Sequence, residues 1–519
     1  MNRNTLVWRR LRQVSQAIFF VGFVYLFVHA ISGGQQAAWS DLFYRFDPLV
    51  ALTASLAGRV VIGGLLLSLV TVALTLIFGR VWCGWICPMG SLLDWISPPK
   101  KKLRRQKTVP EQWRTVKYVL LVVIVFAAAL GNQSLLVFDP LTIVTRTFTT
   151  ALWPALRQAV YSLEGFLYQF ESLWDGLDWF HQSVVIPLFE GVNSYFGMAV
   201  PIFLFFAGIV ALNWVARRFW CRYLCPLGGL LGWLSRFALL RRDVGGACAS
   251  CALCGHDCPT GTIDPAKGYR SDPAECVVCC DCIVDCSREG VAFRWQLPRW
   301  KVAQAQPYDP KRRQVLAALG GAAAGVALAG VEPILKRQPA DMVRPPGAKL
   351  VDFDSLCIRC GECLRVCPTQ GLQPTLLEGG WQNMLTPRLV PRLGYCDYNC
   401  IACSEACPSG AIPLLGLAEK QVTSIGLARV DTDRCLPWAY NTICSVCEEA
   451  CPLPEKAIRQ VEVEVVTLEG ETLQLKRPYV LRELCIGCGI CEHQCPMGGE
   501  AAIRVYAPTE SELLPGGLG

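Results

Sequence analysis

The sequence predicts a helical membrane domain joined to small α+β domains built around metal-bound thiolates. Three observations carry that prediction. Apolar runs of roughly membrane-spanning length recur through residues 1–240. Mean hydropathy is +0.34 with 52% hydrophobic residues, which points to a membrane protein. The 29 cysteines fall into tight, regular groups, unlike the frameworks of small disulfide-built secreted domains. The net charge of +7 is concentrated in particular loops and reads as membrane topology. No nucleic-acid motif accompanies it, so nucleic acid is not an expected partner.

Val14–Ile31 is an apolar run behind Arg3, Arg9, Arg10 and Arg12, so it begins in the cytoplasm as an uncleaved anchor. Val60–Phe78 returns to a loop marked cytoplasmic by Arg80, Lys100, Lys101, Lys102, Arg104, Arg105 and Lys107. Tyr118–Gly131 goes out again, with Phe138 as its furthest end. Residues 139–197 are aromatic and amphipathic, with Glu164, Glu171, Asp175, Asp178 and Glu190 against Arg146 and Arg157. They are expected outside, as interfacial helices. Met198–Ala216 comes back in, landing on Arg217 and Arg218.

Lys311–Leu335 then decides whether the last domain shares that compartment. Arg312-Arg313-Gln314-Val315-Leu316 follows the twin-arginine export pattern, and the apolar run behind it matches the ~20 residues of a span. A soluble Ala-rich helix is the alternative, but four glycines would cost it roughly 1 kcal/mol each. Ala327-Leu328-Ala329 offers a small-residue cleavage site. The expected order is a four-span membrane domain at 1–240 and a cytoplasmic two-cluster domain at 241–300. A fifth span at 315–335 lies within a linker at 301–348, and an extracytoplasmic four-cluster domain fills 349–510.

Six cysteine groups have the form expected of [4Fe–4S] ligation, three close thiolates and a fourth ahead of a proline. They are Cys248, Cys251, Cys254 and Cys258; Cys276, Cys279, Cys282 and Cys286, where Ser287 replaces the proline; Cys357, Cys360, Cys363 and Cys367; Cys396, Cys400, Cys403 and Cys407; Cys435, Cys444, Cys447 and Cys451; and Cys485, Cys488, Cys491 and Cys495. Structural zinc would use single pairs, and this spacing repeated six times argues against it. Cys280 falls off the spacing and reads as a spare thiol.

In two-cluster ferredoxins the fourth cysteine serves the partner cluster, so Cys258 and Cys286 should exchange. In 349–510 the segment between the second and third groups, with Gly410-Ala411-Ile412 and then Ile425–Val430, looks like an internal ferredoxin connection. It favours nested pairing, the middle two groups together and the outer two together. Two shorter motifs remain, Trp82-Cys83-x3-Cys87-Pro88 and Trp220-Cys221-x3-Cys225-Pro226, each where a span meets the cytoplasm. Cysteines at i and i+4 share a helix face, so Cys83, Cys87, Cys221 and Cys225 are candidates for a seventh cluster; the alternatives are buried structural thiols, or thiols that mix with the neighbouring ferredoxin ligands.

From about Trp82 to Phe293 these motifs resemble NapH, the membrane ferredoxin-type subunit of periplasmic nitrate reductase systems, and more distantly the NosR and CcoG polyferredoxins. From the twin arginines to about Tyr506 the chain resembles NapG, the exported four-cluster partner. The resemblance implies a natural fusion in the cytoplasmic membrane that acts as a quinol dehydrogenase. It would carry electrons from the quinone pool to a cytochrome or reductase outside. No Gly-rich dinucleotide fold, P-loop, hydrolytic triad or C-x-x-C-H haem motif occurs, so the residues alone support an electron wire. They name no catalytic or quinone-binding side chain. His29 and His181 are weak candidates for accepting a quinol proton, with packing the alternative; His256 and His493 lie inside cluster loops. Two rival functions stay open: a maturation or regulatory polyferredoxin for another metalloenzyme, and reverse flow from an outside donor into quinone.

Overall fold

The structure, a computed structural model, describes residues 3–32, 39–97, 109–189, 195–265, 268–296, 320, 342–348, 351–376, 378–380, 383–466 and 472–508. Apart from Gly320, the expected fifth span at 315–335 lies outside them, as do its twin arginines and cleavage site. The chain divides into two compact units. One comprises Met1–Val28, Ser40–Phe148 and Val200–Leu328; the other comprises His29–Trp39, Thr149–Ala199 and Ala329–Gly519.

The chain opens with one uninterrupted helix, Arg3–Ser32. Its segment Leu6–Ala30 is the one helix among the described residues long and apolar enough to cross a membrane. The other three expected spans are shorter helices, Gly63–Phe78, Arg114–Ala129 and Ala199–Leu212. Glycines in left-handed backbone stop two of them: Gly79 at φ +80° and Gly131 at φ +81°. The expected continuation to Phe138 is therefore a separate 3-10 turn, Ser134–Phe138.

Two helices start from the same tetrapeptide, Phe-Asp-Pro-Leu, at 46–49 and 138–141. In each the aspartate caps the helix and the proline fills its first position, where no amide hydrogen is needed. Asp47 accepts from the amides of Leu49 (2.8 Å) and Val50 (3.2 Å) to begin Pro48–Gly58. Asp139 accepts from those of Leu141 and Thr142, both at 3.0 Å, to begin Pro140–Thr147.

After the helices of this unit comes a small module. Leu240–Val244 pairs antiparallel with Val291–Trp295 and closes it; Ile263–Asp264 pairs with Arg270–Ser271 inside it. The cysteine loops run between these strands, into the short helices Leu253–His256 and Asp281–Val284.

The second unit holds two such modules. Leu372–Pro374 pairs with Pro387–Leu389 in the first, and Leu427–Val430 pairs with Ile503–Tyr506 around the second. A long hairpin, Ile458–Val466 with Thr472–Val480, projects from the latter. One core joins them: Val343, Phe353, Leu372, Leu389, Ile412, Ile425, Ala428, Ile503 and Val505 are buried together, with Phe196 among them. Gly426 and Gly487 cross at a backbone-to-backbone approach so close that a methyl on Gly487 would fall 2.4 Å from Gly426.

Candidate metal centres

In the first unit the thiols sort by space and not by chain order. Cys258 lines a cavity with Cys276, Cys279 and Cys282, while Cys286 sits with Cys248, Cys251 and Cys254, near enough for their charges to interact. The exchange expected of Cys258 and Cys286 is present. Burial pushes the Cys276 thiol up to about 11 and Cys282 higher still, because a lone thiolate there has lost its water. A cationic guanidinium lies between the two sets: Arg242 donates to the sulfurs of Cys282 (3.3 Å) and Cys254 (3.6 Å). Cys280 stands at φ +60° with its sulfur 3.5 Å from the carbonyl of Val278, on the wall of the cavity.

The second unit corrects the nested pairing. Cys407 closes a cavity with Cys357, Cys360 and Cys363, and Cys367 closes another with Cys396, Cys400 and Cys403. In the other module Cys495 joins Cys435, Cys444 and Cys447 around a third cavity, while Cys451 interacts with Cys485 and Cys488. Groups pair in chain order, first with second and third with fourth. The physical reason is the strand at Leu427–Val430. Its hydrogen bonds go to Ile503–Tyr506, so it fences in the last two groups and does not bridge the second to the third.

The cavities have the character of cluster sites. Those closed by Cys407 and Cys495 are each walled by the four thiols and mainly aliphatic side chains. Burial raises Cys396 and Cys447 to about 12, and Cys360, Cys363 and Cys491 well above the ordinary thiol range. Backbone amides donate to sulfur, Ile412 to Cys407 and Ala502 to Cys495, both at 3.4 Å. Among the described residues no three His, Cys, Asp or Glu side chains converge tightly enough for a single metal ion. Four thiols spread around a cavity suit a polynuclear cluster, whose irons would reverse the protonation that burial favours.

The two shorter motifs meet in the first unit. Charges on Cys83, Cys87, Cys221 and Cys225 all interact, so the two pairs form one set. The expected shared face of an α-helix is not how they do so. Trp82–Ile86 and Trp220–Leu224 are π-helical turns, closed by the amides of Cys87 and Cys225 on the carbonyls of Trp82 and Trp220, each at 2.9 Å. The wider turn ends the helix at the second cysteine, and the following proline starts the next one, Pro88–Trp95 or Pro226–Ser235.

The repeat extends outward as Arg-x-Trp-Cys-x3-Cys-Pro-x-Gly, and its arginines cross over. Arg218 donates to the carbonyls of Cys83 (3.1 Å) and Gly90 (3.3 Å) in the first copy. Arg80 lies over Gly228 in the second, where an added methyl would stand 2.8 Å from its Nη2. Phe46 and Phe138, from the Phe-Asp-Pro-Leu tetrapeptides, lie 6.2 Å from Trp82 and 6.5 Å from Trp220.

Comparison with known proteins agrees with this geometry. A family model described as a 4Fe-4S binding domain matches residues 60–106 and 198–245, the two stretches that carry the crossed motifs. Another of the same description matches 351–373 and 478–499. The methylamine utilization ferredoxin-type protein MauM of Methylorubrum extorquens is 37% identical over 228 residues, 41% of this chain and 96% of its own length. The ferredoxin-type protein NapG of Escherichia coli is 35% identical over 213 residues, 39% of this chain and 87% of its own. The chain belongs to the NapG/MauM family of ferredoxin-type proteins. No solved structure matches it.

As a NapG/MauM relative with further 4Fe-4S segments at 60–106 and 198–245, the chain fits the NapH–NapG-like fusion expected from its motifs. It is an iron–sulfur electron-transfer protein. The histidine candidates fall outside the thiol sets. His181 hydrogen-bonds Glu164 at 3.1 Å, and His493 reaches the carbonyl of Pro391 at 3.1 Å beside the Tyr395 ring. His256 ends the helix Leu253–His256, and His29 lies in the last turn of Arg3–Ser32.

Sequence reasoning missed the supporting charges and a buried carboxyl pair. The capping aspartates Asp47 and Asp139 are fully buried and near enough for their charges to interact, and the second oxygen of each, Asp47 Oδ2 and Asp139 Oδ1, is buried without a hydrogen bond among the described residues. The repeated Phe-Asp-Pro-Leu was the available signal.

Proposed function

We propose that this chain is a membrane-bound conductor that oxidises quinol and delivers the electrons singly to a redox partner outside the cytoplasmic membrane. The observation that carries the reading is the sorting of cysteines into seven four-thiol sets. Three lie in the first unit and four in the second, with neighbouring sets side by side.

The residues that would hold the clusters are Cys83, Cys87, Cys221 and Cys225; Cys258, Cys276, Cys279 and Cys282; and Cys248, Cys251, Cys254 and Cys286. In the second unit they are Cys357, Cys360, Cys363 and Cys407; Cys367, Cys396, Cys400 and Cys403; Cys451, Cys485, Cys488 and Cys491; and Cys435, Cys444, Cys447 and Cys495. A bound [4Fe–4S] cluster supplies a one-electron carrier whose potential follows charge, hydrogen bonds to sulfur and solvent exposure. The chain's own part is to set those three. Arg242 and the amides of Ile412, Ala502 and Gly228 (3.2 Å from the Cys225 sulfur) donate to sulfur and stabilise the more negative state. Aliphatic walls keep water away.

Arg218 links the first two sets, because its guanidinium interacts with both Cys221 and Cys279. The route in this unit then runs from the crossed motifs to the Cys258 set and on to the Cys248 set, where Cys251 is exposed. Membrane residence is supported by Leu6–Ala30 and by outward aliphatic side chains such as Ile18, Val21, Val61, Leu69, Val200 and Leu204, each more than half exposed. A quinol yields two electrons and two protons; the electrons leave one at a time and the protons pass to solvent. A fifth span at 315–335 would carry the four-cluster domain to the outer side.

The test is the full chain, purified anaerobically in detergent. Four irons per site give about 28 irons per chain if all seven sets load. A short-chain quinol should reduce a fraction of the clusters, seen as new EPR signals, with quinone formed in proportion. Fully loaded protein that no quinol reduces, at any pH where the quinol is stable, would remove the quinol step and leave only the conductor.

A further inference from the structure

Clusters inside one two-cluster module are tied together by exchanged cysteines. Nothing of that kind ties one module of the second unit to the other, yet the two touch at a defined place. The amide of Cys396 donates to the carbonyl of Cys488 at 2.8 Å, and that of Ile425 to Ile486 at 2.9 Å. Pro391 packs where Gly489 leaves room, so close that a methyl on Gly489 would stand 2.9 Å from it. The set of Cys367, Cys396, Cys400 and Cys403 therefore abuts the set of Cys451, Cys485, Cys488 and Cys491. The other two sets lie at the far ends, and the four make a file whose order differs from the order of their groups in the chain.

Lys420 stands at this junction. It belongs to the short helix Leu417–Val422, which connects the modules, and is 3% exposed. Its ammonium group donates to the carbonyl of Asp397, the residue after Cys396, and lies 5.9 Å from the Tyr398 ring. It interacts electrostatically with Cys396 and Cys400 of one set and with Cys488 of the other. A buried lysine is costly unless something negative compensates it. Cluster thiolates on both sides would do so.

The geometry points to Lys420 as the residue that couples the two modules: its fixed positive charge raises the potentials of the two inner clusters together and leaves the two outer ones unmoved. The inference rests on the cluster reading above and adds the order of the file and the residue at its middle. The step served is a one-electron transfer in which one inner cluster is oxidised as the other is reduced. No bond is made and no proton moves. Holding both potentials up by one shared charge keeps that step nearly level, since any change at Lys420 shifts donor and acceptor alike. Arg218 has the same position in the first unit, between two sets that also share no exchanged cysteine.

The experiment is redox titration, followed by EPR, of the full chain carrying Lys420→Gln, which keeps a donor for Asp397 and removes the charge. Lys420→Arg, which keeps the charge, is the control. Signals are assigned with Cys400→Ser and Cys485→Ser for the inner pair and Cys360→Ser and Cys444→Ser for the ends. At unchanged iron content, Lys420→Gln should move the two inner midpoints to lower potential, with the outer two unmoved and Lys420→Arg close to wild type. No shift, a shift of all four, or a shift confined to an end cluster would overturn the inference. Should Lys420→Gln lose iron, a wild-type profile in Lys420→Arg with two selectively lost centres supports it, and loss of all four overturns it. Wild-type protein that binds no iron in this unit would sink the cluster reading itself, a result separate from any of these.

Discussion

Asp94 faces three guanidinium groups at the end of Pro88–Trp95. Arg218 holds it at 2.7 and 2.8 Å, Arg217 at 3.6 Å and Arg12 at 3.7 Å, and Gln16 donates at 3.0 Å. Burial opposes its ionisation, but Arg218 and then Arg217 and Arg12 hold its carboxyl well below the ordinary carboxylate range. Arg218, fully buried, is what braces the first cysteine turn through the carbonyls of Cys83 and Gly90. Removing the carboxylate strands that guanidinium, which costs about 3–5 kcal/mol when one partner of a buried pair is lost. We expect Asp94→Asn to lose that much at pH 7 in thermal or denaturant unfolding of the detergent-solubilised chain. A lowered folded pKa means the stabilisation is present in full above the unfolded value of about 3.9 and drains away as pH falls through the folded one. The gap between the two proteins should therefore stay constant down to about pH 4–5 and narrow only below it. An Asp94→Asn chain as stable as wild type at pH 7 would refute the assignment.

At the scale of elements, the cysteine groups were legible and their partners in the last domain were not. Ligand spacing is local: Cys357, Cys360 and Cys363 sit in one loop and declare themselves by interval. Pairing is set by which strands hydrogen-bond, and Leu427–Val430 carries no mark in its own residues that it will meet Ile503–Tyr506. The same holds for the short motifs. A four-residue interval suggests an α-helical face, whereas the proline after each second cysteine and the close packing of Gly90 on the Cys83 carbonyl favour a wider turn. The corrected pairing has a direct test. Cys407→Ser should alter the same EPR signal as Cys363→Ser and leave the signal altered by Cys403→Ser intact; Cys495→Ser should follow Cys447→Ser. If Cys407→Ser instead tracks Cys447→Ser, nested pairing returns.

For the molecule as a whole, the sequence leads to the expectation of a membrane half and a cluster-rich half, and the first of these rests on hydropathy. It reports composition over a window, so it finds Leu6–Ala30 readily. It does not foresee that glycines at 79 and 131 shorten the later helices, or that Pro48–Gly58 is inserted between the first and second. Nor does it predict that Phe196, from a segment expected to be interfacial, belongs to the core around Phe353 and Ile503. Sidedness is open to measurement. Alkaline phosphatase, active only outside the cytoplasm, should be active when fused after Tyr506 and inactive when fused after Trp295. Activity at neither site would put every cluster on one side of the membrane.

The crossed arginines bear on when this protein can be finished. Half the thiols of that centre come from the first copy of the repeat and half from the second, and each copy leans on an arginine supplied by the other. A cluster held there would not be fully gripped until the ribosome had passed Cys225 and the emerging halves had folded against one another. A truncated or misfolded nascent chain would leave the site open, so loading it would amount to a proofreading step on the synthesis of the first unit.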